Sequence, residues 1–356
     1  MDRRRILPIF VIVFTNILGS GVILPILPLL AEGEFGATAF QATTLSAVFF
    51  AAQFVAAPWL GRLSDRIGRR PVLIVSQIGT VLSFVLFILA GPIGQWLDGL
   101  GLGLGISGGL AMLYLARTLD GITGGNITTA QAYITDVSSP ENRAQALGLI
   151  GAAFGTGFIF GPAFGGVLAE ISLVAPFWGA AIITSVSVLL TTVMLKESLP
   201  PEARAAADEP ANKRPLRDLL SHGDTFLILA INFVATLSFA ALQSTFALYA
   251  ERIIFPNQPS STVARNAGLL LAFLGVITVL TQLFFIKPLV QRFGERNVII
   301  IGQVSLTIAF AGLAAVTSVW IAVLFTIPLA FGNSINQPGL QTLLTAGTVP
   351  QVRGRL

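Results

Sequence analysis

Arg117 and Asp120 stand inside an otherwise uncharged stretch of this sequence, and they are its strongest candidates for chemistry. At a spacing of three residues they share one face of a helix. Ionisable groups at membrane depth are costly and usually face a cavity or a partner, so Asp120 is a candidate for carrying a proton or binding a cationic substrate. The alternative is that the two side chains neutralise each other and only hold the helix in place. The sequence leaves both roles open.

Uncharged polar side chains within apolar runs form a second group of candidates. Each can hydrogen-bond a substrate or a neighbouring helix, and the second role is the commoner one in membrane bundles. The group comprises Asn16, Gln53, Gln131, Asn232, Gln243, Gln282, Asn333, Asn336 and Gln337. The candidates for substrate binding and coupling are Arg117, Asp120, Asn16, Gln131, Gln243 and Asn336.

The residue types of most catalytic and metal sites are scarce. Cysteine is absent and His222 is the only histidine, which excludes disulfides, thiolate or imidazole metal clusters and cysteine nucleophiles. The sequence also has no nucleotide-binding loop and no nucleophile–base pair within its apolar runs. We therefore expect no enzyme activity, no metal, no cofactor and no bound nucleotide.

The elements that must position these residues are membrane-spanning helices. Hydrophobic residues make up 54% of the chain, charged residues only 11%, and mean hydropathy is +0.82, whereas soluble domains carry about 25% charged residues. About 20 apolar residues cross a bilayer as a helix, and seven charge-free runs of 21 to 27 residues are long enough. They are residues 6–31, 35–61, 71–97, 144–169, 171–195, 225–250 and 266–286.

Three further spans bring the predicted total to ten. Residues 297–352 are 56 residues without a charge and fit two spans with a turn near residues 317–318. Residues 110–135 are predicted to form one span that carries both Arg117 and Asp120. We expect the preceding glycine-rich residues, 91–109, to form an external loop.

Lysine and arginine set the orientation. With the N-terminus inside, 18 of the 21 basic residues lie on the cytoplasmic side, which satisfies the positive-inside rule. Both termini are therefore expected in the cytoplasm, with the chain in the cell inner (plasma) membrane. The basic pI of about 10.0 reflects this topology, so we expect no nucleic acid partner.

One long hydrophilic stretch, residues 196–224, divides the chain. It is rich in proline, alanine and charged residues, which is typical of a cytoplasmic linker. We expect it to join an N-terminal six-helix bundle, residues 1–195, to a C-terminal four-helix bundle, residues 225–356.

Residues of the first half recur in the second. Asn126 matches Asn336 at an offset of 210 residues, and Gly68 matches Gly294 at an offset of 226. Both pairs belong to longer sets of matches at predicted cytoplasmic helix ends. Duplicated halves are one architecture of secondary transporters.

A motif between spans 2 and 3 is distinctive in its spacing. Residues 61–70, GRLSDRIGRR, resemble the loop signature G-x-L-x-D-R-x-G-R-R/K of the major facilitator superfamily. Glycine at positions 61 and 68 permits a tight cytoplasmic turn, and the aspartate among four arginines can bridge neighbouring helix ends. Its candidate residues for conformational change are Gly61, Asp65, Arg66, Gly68, Arg69 and Arg70.

Two further motifs narrow the resemblance. Arg117 with Gly121 resembles the R-x-x-x-G signature that lines the transport cavity of many members. Residues 157–166 resemble the G-x-x-x-G-P-x-x-G-G signature of the drug:proton antiporters, in which glycines permit close helix packing and proline bends the helix. Its candidate residues are Gly157, Gly161, Pro162, Gly165 and Gly166. The resemblance covers the whole chain and is nearest to bacterial tetracycline/proton antiporters over residues 117–169.

This resemblance implies an all-α integral membrane protein with the major facilitator fold of two pseudo-symmetric helix bundles. That fold has twelve helices, of which about ten are expected here, with the last two missing. The repeat supports this expectation, because the first half continues for about fifty residues after Arg143, whereas its counterpart, Arg353, is followed by three.

The resemblance also implies a secondary active transporter for proton-coupled efflux of small amphipathic compounds or drugs, as in antibiotic resistance. Its partners would be a small-molecule substrate, protons and the lipid bilayer. Asn16 departs from the tetracycline antiporters, which have aspartate there, and because asparagine cannot titrate it cannot carry the proton. The alternatives are proton-coupled uptake of a small solute and a non-transporting, truncated member of the fold.

Overall fold

A computed structural model describes residues 3–101, 105–138, 143–200, 223–316 and 318–346, and all of its regular elements are helical. Most of the predicted linker and the repeat residue Arg353 lie outside the described residues. The helices are α1 Arg3–Ile23, α2 Leu27–Phe35, α3 Ala39–Ile67, α4 Arg69–Ile88, α5 Ala90–Gly99, α6 Gly108–Gly124, α7 Asn126–Val137, α8 Arg143–Ala169, α9 Ala175–Met194, α10 Gly223–Tyr249, α11 Ser260–Leu280, α12 Ile286–Ala314 and α13 Val319–Ala346. Short π-helical segments, Ala250–Ile254 and Thr281–Phe285, follow α10 and α11.

The predicted all-α membrane architecture is confirmed. Among the described residues, eight helices are long and apolar enough to cross a membrane, and α1 with α2 makes a ninth if this bent pair is one span. The bend of 41° falls at Pro25, which lacks the N–H that a continuous helix needs. The tenth predicted span corresponds to α6 and α7, of 17 and 12 residues, which are separated at Gly125.

The prediction of an external loop over residues 91–109 was wrong for its first half, which forms α5. Glycines there serve close packing, because a Cβ on Gly94 would lie 2.3 Å from the backbone nitrogen of Gly109. α5 and α6 therefore touch backbone to backbone. The chain turns only afterwards, where Gly101 and Gly105 adopt φ of 62° and 70°, angles that glycine reaches without steric cost.

Two compact units emerge from the contacts. Unit 1 comprises Met1–Glu209, Ser244–Glu251 and Asn257–Ala272, and unit 2 comprises Pro210–Gln243, Arg252–Pro256 and Phe273–Leu356. Inside unit 1, α1 packs on α8 and α9, α4 packs on α6 and α9, and α3 packs on α6. Inside unit 2, α12 packs along α13.

One turn recurs in both units. Gly68, between α3 and α4, has φ 106° and ψ 159°, and its repeat counterpart Gly294, within α12, has φ 76° and ψ 159°. Side chains with a Cβ rarely adopt positive φ. The shared backbone conformation explains why glycine stands at both repeat positions.

Candidate functional site

Arg117 and Asp120 form a buried ion pair on α6. Arg117 Nη1 lies 3.0 Å from Asp120 Oδ2, and each side chain is 6% exposed. The guanidinium also lies over the Phe49 ring of α3, with Cζ 4.1 Å from the ring centroid, and its Nε donates to the carbonyl of Leu45 at 3.4 Å. The arginine is therefore satisfied by a carboxylate, a carbonyl and an aromatic face together.

The pair sits beside a close backbone contact between α3 and α6. A Cβ on Gly121 would lie 2.4 Å from the carbonyl oxygen of Phe49, so only glycine allows this spacing. Separating a buried ion pair leaves an uncompensated charge in an apolar medium, which is strongly destabilising. In this conformation the geometry fits a local ion pair that holds the helix in place. For Asp120 to carry a proton, its carboxylate would have to separate from Arg117 during transport.

The helix that carries this pair, α6, ends at Gly124, four residues after Asp120, and α7 begins at Asn126. Three successive carbonyls accept hydrogen bonds from side chains: Thr123 from Ser76 at 2.6 Å, Gly124 from Gln53 at 2.9 Å, and Gly125 from Thr128 at 3.1 Å. Secondary transporters commonly place substrate and ion sites at such discontinuities in a span.

The candidate Asn16 lies beside this interruption. Its Nδ2 donates to Oδ1 of Asn126 at 3.3 Å, so α1 is joined to the first residue of α7. Both are buried, and Asn126 Nδ2 has no hydrogen-bond partner among the described residues. In the sequence, Asn126 stood out only through its repeat counterpart Asn336, although an asparagine after two glycines in an apolar span is itself a signal of a broken helix.

Gln53 also lies at this interruption, through its bond to the Gly124 carbonyl, whereas Gln131, Gln243 and Asn336 are placed differently. Gln131 is exposed on α7. Gln243 is half-buried on α10, in unit 2. Asn336 is buried on α13 and lies against Gly302 of α12, where a Cβ would come within 2.6 Å of its Oδ1.

The loop motif forms a charged cluster around Arg69. Its Nη1 lies 2.5 Å from Asp65 Oδ1 and donates to Ser64 Oγ at 2.7 Å, and its Nε lies 3.3 Å from Asp136 Oδ2. The turn itself is made by Gly68 alone. The prediction that Gly61 shares in it was wrong, because α3 continues through Gly61 to its end.

Glu197 completes the cluster, although it was not among the site residues predicted from the sequence. Its two carboxylate oxygens accept from the backbone N–H of Arg69 at 2.9 Å and of Arg70 at 3.1 Å, at the positive end of the α4 dipole. Ser198 Oγ hydrogen-bonds Asp136 Oδ2 at 3.0 Å. The residues after α9 are thus hydrogen-bonded to the loop motif. In the sequence, this contact is indicated only by an acidic residue at the end of a predicted span.

The glycine motif of α8 packs against α1. A Cβ would lie 2.9 Å from the Ile17 Cβ if placed on Gly157, and 2.7 Å from the Leu18 carbonyl oxygen if placed on Gly161. For Gly165 the nearest atom would be the Val22 carbonyl oxygen, at 2.8 Å. Contacts this close leave no room for a side chain at these three positions unless α1 and α8 move apart.

A neighbouring face of the motif packs against the first half of α11. A Cβ on Gly268 would lie 2.2 Å from the Pro162 carbonyl oxygen, and one on Gly166 would lie 2.9 Å from that of Ala264. At the end of this contact Arg265 Nη1 lies 2.5 Å from Glu170 Oε1, with both side chains partly exposed. The ten-residue motif therefore holds α8 between two neighbours inside unit 1.

Comparison with known proteins agrees with these features. The sequence model of the Major Facilitator Superfamily matches residues 9–356. The class C tetracycline resistance protein of Escherichia coli is 33% identical over 340 residues, which cover 95% of this chain and 80% of that protein. Multidrug resistance protein 2 of Bacillus subtilis (strain 168) is 28% identical over 299 residues, 82% of this chain and 69% of that protein.

Solved structures share the fold at lower identity. The nucleoside transporter NupG superposes with a TM-score of 0.75 at 13% identity, covering 98% of this chain and 85% of that one. The human organic anion transporter MFSD10 superposes with a TM-score of 0.65 at 21% identity, covering 99% and 88%. These likenesses concern the arrangement of helices.

Proposed function

The chain belongs to the major facilitator superfamily of transporters, and on that premise we propose that it exports small amphipathic compounds or drugs in exchange for protons. Tetracycline and multidrug resistance proteins among its relatives support a drug as the exported compound. In this proposal the chain lies in the plasma membrane with both termini in the cytoplasm, and residues 1–195 and 225–356 are its two bundles.

The observation that carries this proposal is the packing of α8. Its motif approaches α1 through Gly161 on one face and α11 through Pro162 and Gly166 on the other, with backbone atoms in contact at both. The motif thus joins the first bundle to a helix of the second half of the sequence. Rigid-body rocking of one half against the other is the usual basis of alternating access, and the motif resembles that of antiporters.

Coupling to protons is assigned to Asp120, because Asn16 cannot titrate. In the conformation described, Arg117 Nη1 lies 3.0 Å from Asp120 Oδ2 in a buried ion pair. We propose that the pair separates when a proton binds and re-forms when the proton leaves. Asn16, Gln131, Gln243 and Asn336 are the proposed polar contacts of the substrate.

Everted membrane vesicles test the direction of transport. Vesicles energised to an acidic interior are loaded with a pH-sensitive dye and challenged with a panel of amphipathic compounds, tetracycline included. Export with proton exchange predicts that a compound enters these vesicles while protons leave, so the dye reports alkalinisation. Vesicles preloaded with a compound that lose it together with protons would instead indicate coupled uptake, and no response to any compound would favour a non-transporting member of the fold.

A further inference from the structure

A layer of hydroxyl and amide side chains lies inside unit 1 where α1, α4 and α9 meet. Thr15 Oγ1 and Ser187 Oγ are hydrogen-bonded at 2.9 Å, and Gln77 Nε2 donates to the same Ser187 oxygen at 3.0 Å. All three residues are at most 6% exposed. One serine therefore connects three spans through neutral hydrogen bonds.

The register of α4 against α9 identifies the next members of the layer. These helices run antiparallel, with contacts at three levels. The contacts are Arg70 Nη2 to the Thr192 carbonyl at 2.7 Å, Gln77 to Ser187, and Phe87 stacked on Phe177 with ring centroids 4.9 Å apart. The same register places Thr80 opposite Thr184, one helical turn from the Gln77–Ser187 bond. Gly19 of α1 lies at this level too, since a Cβ there would be 3.9 Å from Thr184 Oγ1.

Three polar atoms of this layer have no hydrogen-bond partner among the described residues: Gln77 Oε1, Thr80 Oγ1 and Thr184 Oγ1. Their residues are at most 4% exposed. Thr191 of α9, by contrast, donates its hydroxyl to the Ser187 carbonyl of its own helix at 2.8 Å. The hydroxyls of Thr80 and Thr184 make no such bond within their own helices and are buried between α1, α4 and α9.

Apolar groups close the layer at both ends. On one side lie Phe84, Phe87 and Phe177, each at most 1% exposed. On the other lies an apolar cluster that includes Ile12, Val13 and Leu73. Whatever satisfies the three atoms must therefore be small, polar and enclosed.

We propose that this layer is a binding site for ordered water, held by Gln77, Thr80 and Thr184 between α1, α4 and α9. Buried water typically makes two to four hydrogen bonds to groups that lack other partners, and the three atoms supply that number. Water also suits the ligand chemistry better than a metal ion, because the layer's side chains named above are neutral and include no carboxylate. The site ties three spans of the first bundle together and is independent of the proposed substrate and direction of transport.

The sign of a stability change tests the site. Thr→Val keeps the side-chain shape and removes the hydroxyl. With bound water, Thr80→Val and Thr184→Val each remove a partner of that water and lower the melting temperature of the detergent-purified protein by a few degrees. The double variant should lose less than the two shifts added together, because both threonines hold the same water. Thr191→Val, which removes a hydroxyl bonded within its own helix, is the matched control.

A dry site gives the opposite sign. There, each hydroxyl is an unsatisfied buried group, so Thr80→Val and Thr184→Val would raise the melting temperature, and that result would overturn the proposal. A rise in melting temperature on adding Na⁺, present in the wild type and lost in Thr80→Val, would also overturn it by assigning a cation to the site.

Radiolytic labelling gives a second readout that does not depend on stability. X-rays convert bound water into hydroxyl radicals that oxidise adjacent side chains. Phe84, although only 1% exposed, should be oxidised in the wild type and protected in the Thr80→Val, Thr184→Val double variant. An unmodified Phe84 in the wild type would contradict enclosed water.

Discussion

The packing of α8 on α1 makes a quantitative prediction for Gly161→Ala. The added Cβ would lie 2.7 Å from the Leu18 carbonyl oxygen and 3.0 Å from the Cα of Gly21. Both neighbours are backbone atoms, which cannot rotate away. Ordinary contact begins at 3.4 Å, so the two helices must part by about 0.7 Å, the difference between 3.4 and 2.7 Å.

Overpacking of this kind costs about 1–3 kcal/mol, and the better helix propensity of alanine offsets up to about 1 kcal/mol of it. Gly151→Ala on the same helix is the matched control, because its added Cβ would meet nothing within 4 Å. It should be neutral or gain up to about 1 kcal/mol. We therefore expect Gly161→Ala to be less stable than Gly151→Ala by about 1–3 kcal/mol, the cost of overpacking alone.

Thermal unfolding in detergent, followed by tryptophan fluorescence, measures this difference, and transport in vesicles reports whether the shifted helix still functions. Equal melting temperatures for the two variants would refute the close backbone contact.

Two further predictions concern the ends of the helices. The ion pair of Glu170 with Arg265 is half-exposed, so it should stabilise the protein by at most about 1 kcal/mol. Glu170→Gln or Arg265→Gln should therefore lower the melting temperature by no more than the addition of about 0.5 M salt lowers that of the wild type. A larger loss that salt does not change would contradict a surface pair screened by solvent. For the topology, cysteine replacing Asp98 should react with an impermeant maleimide in intact cells, whereas cysteine replacing Lys213 should react only after permeabilisation. The reverse pattern would invert the proposed orientation.

The membrane spans were predictable because the bilayer imposes them. Each run without a charge had to be a helix, since a lipid environment leaves no other way to satisfy the backbone. The bend at Pro25 and the turn at Gly68 could also be read from single residues with known backbone preferences. Arg117 and Asp120 were recognisable as a pair because their spacing is local.

Contacts between distant parts of the chain were not predictable. Glycines 94 and 109 look the same in sequence whether they form a loop or permit two helices to touch, and only the packed α5 and α6 decide between them. Glu197 caps a helix that begins 128 residues earlier, and no periodicity marks such a partner. Asn126 shows its role only when Asn16 of α1 lies beside it.

The most direct test of the central claim is substrate-driven proton flux through the purified chain. Proteoliposomes with an acidic interior and an entrapped pH dye receive a compound identified in the vesicle assay, and the rates of compound entry and proton exit are recorded together. Wild-type protein should exchange the two with a fixed ratio, and Asp120→Asn, reconstituted at the same protein-to-lipid ratio, should lose proton exit. Compound movement without proton exit in the wild type, or undiminished exchange in Asp120→Asn, would contradict proton-coupled export through this carboxylate.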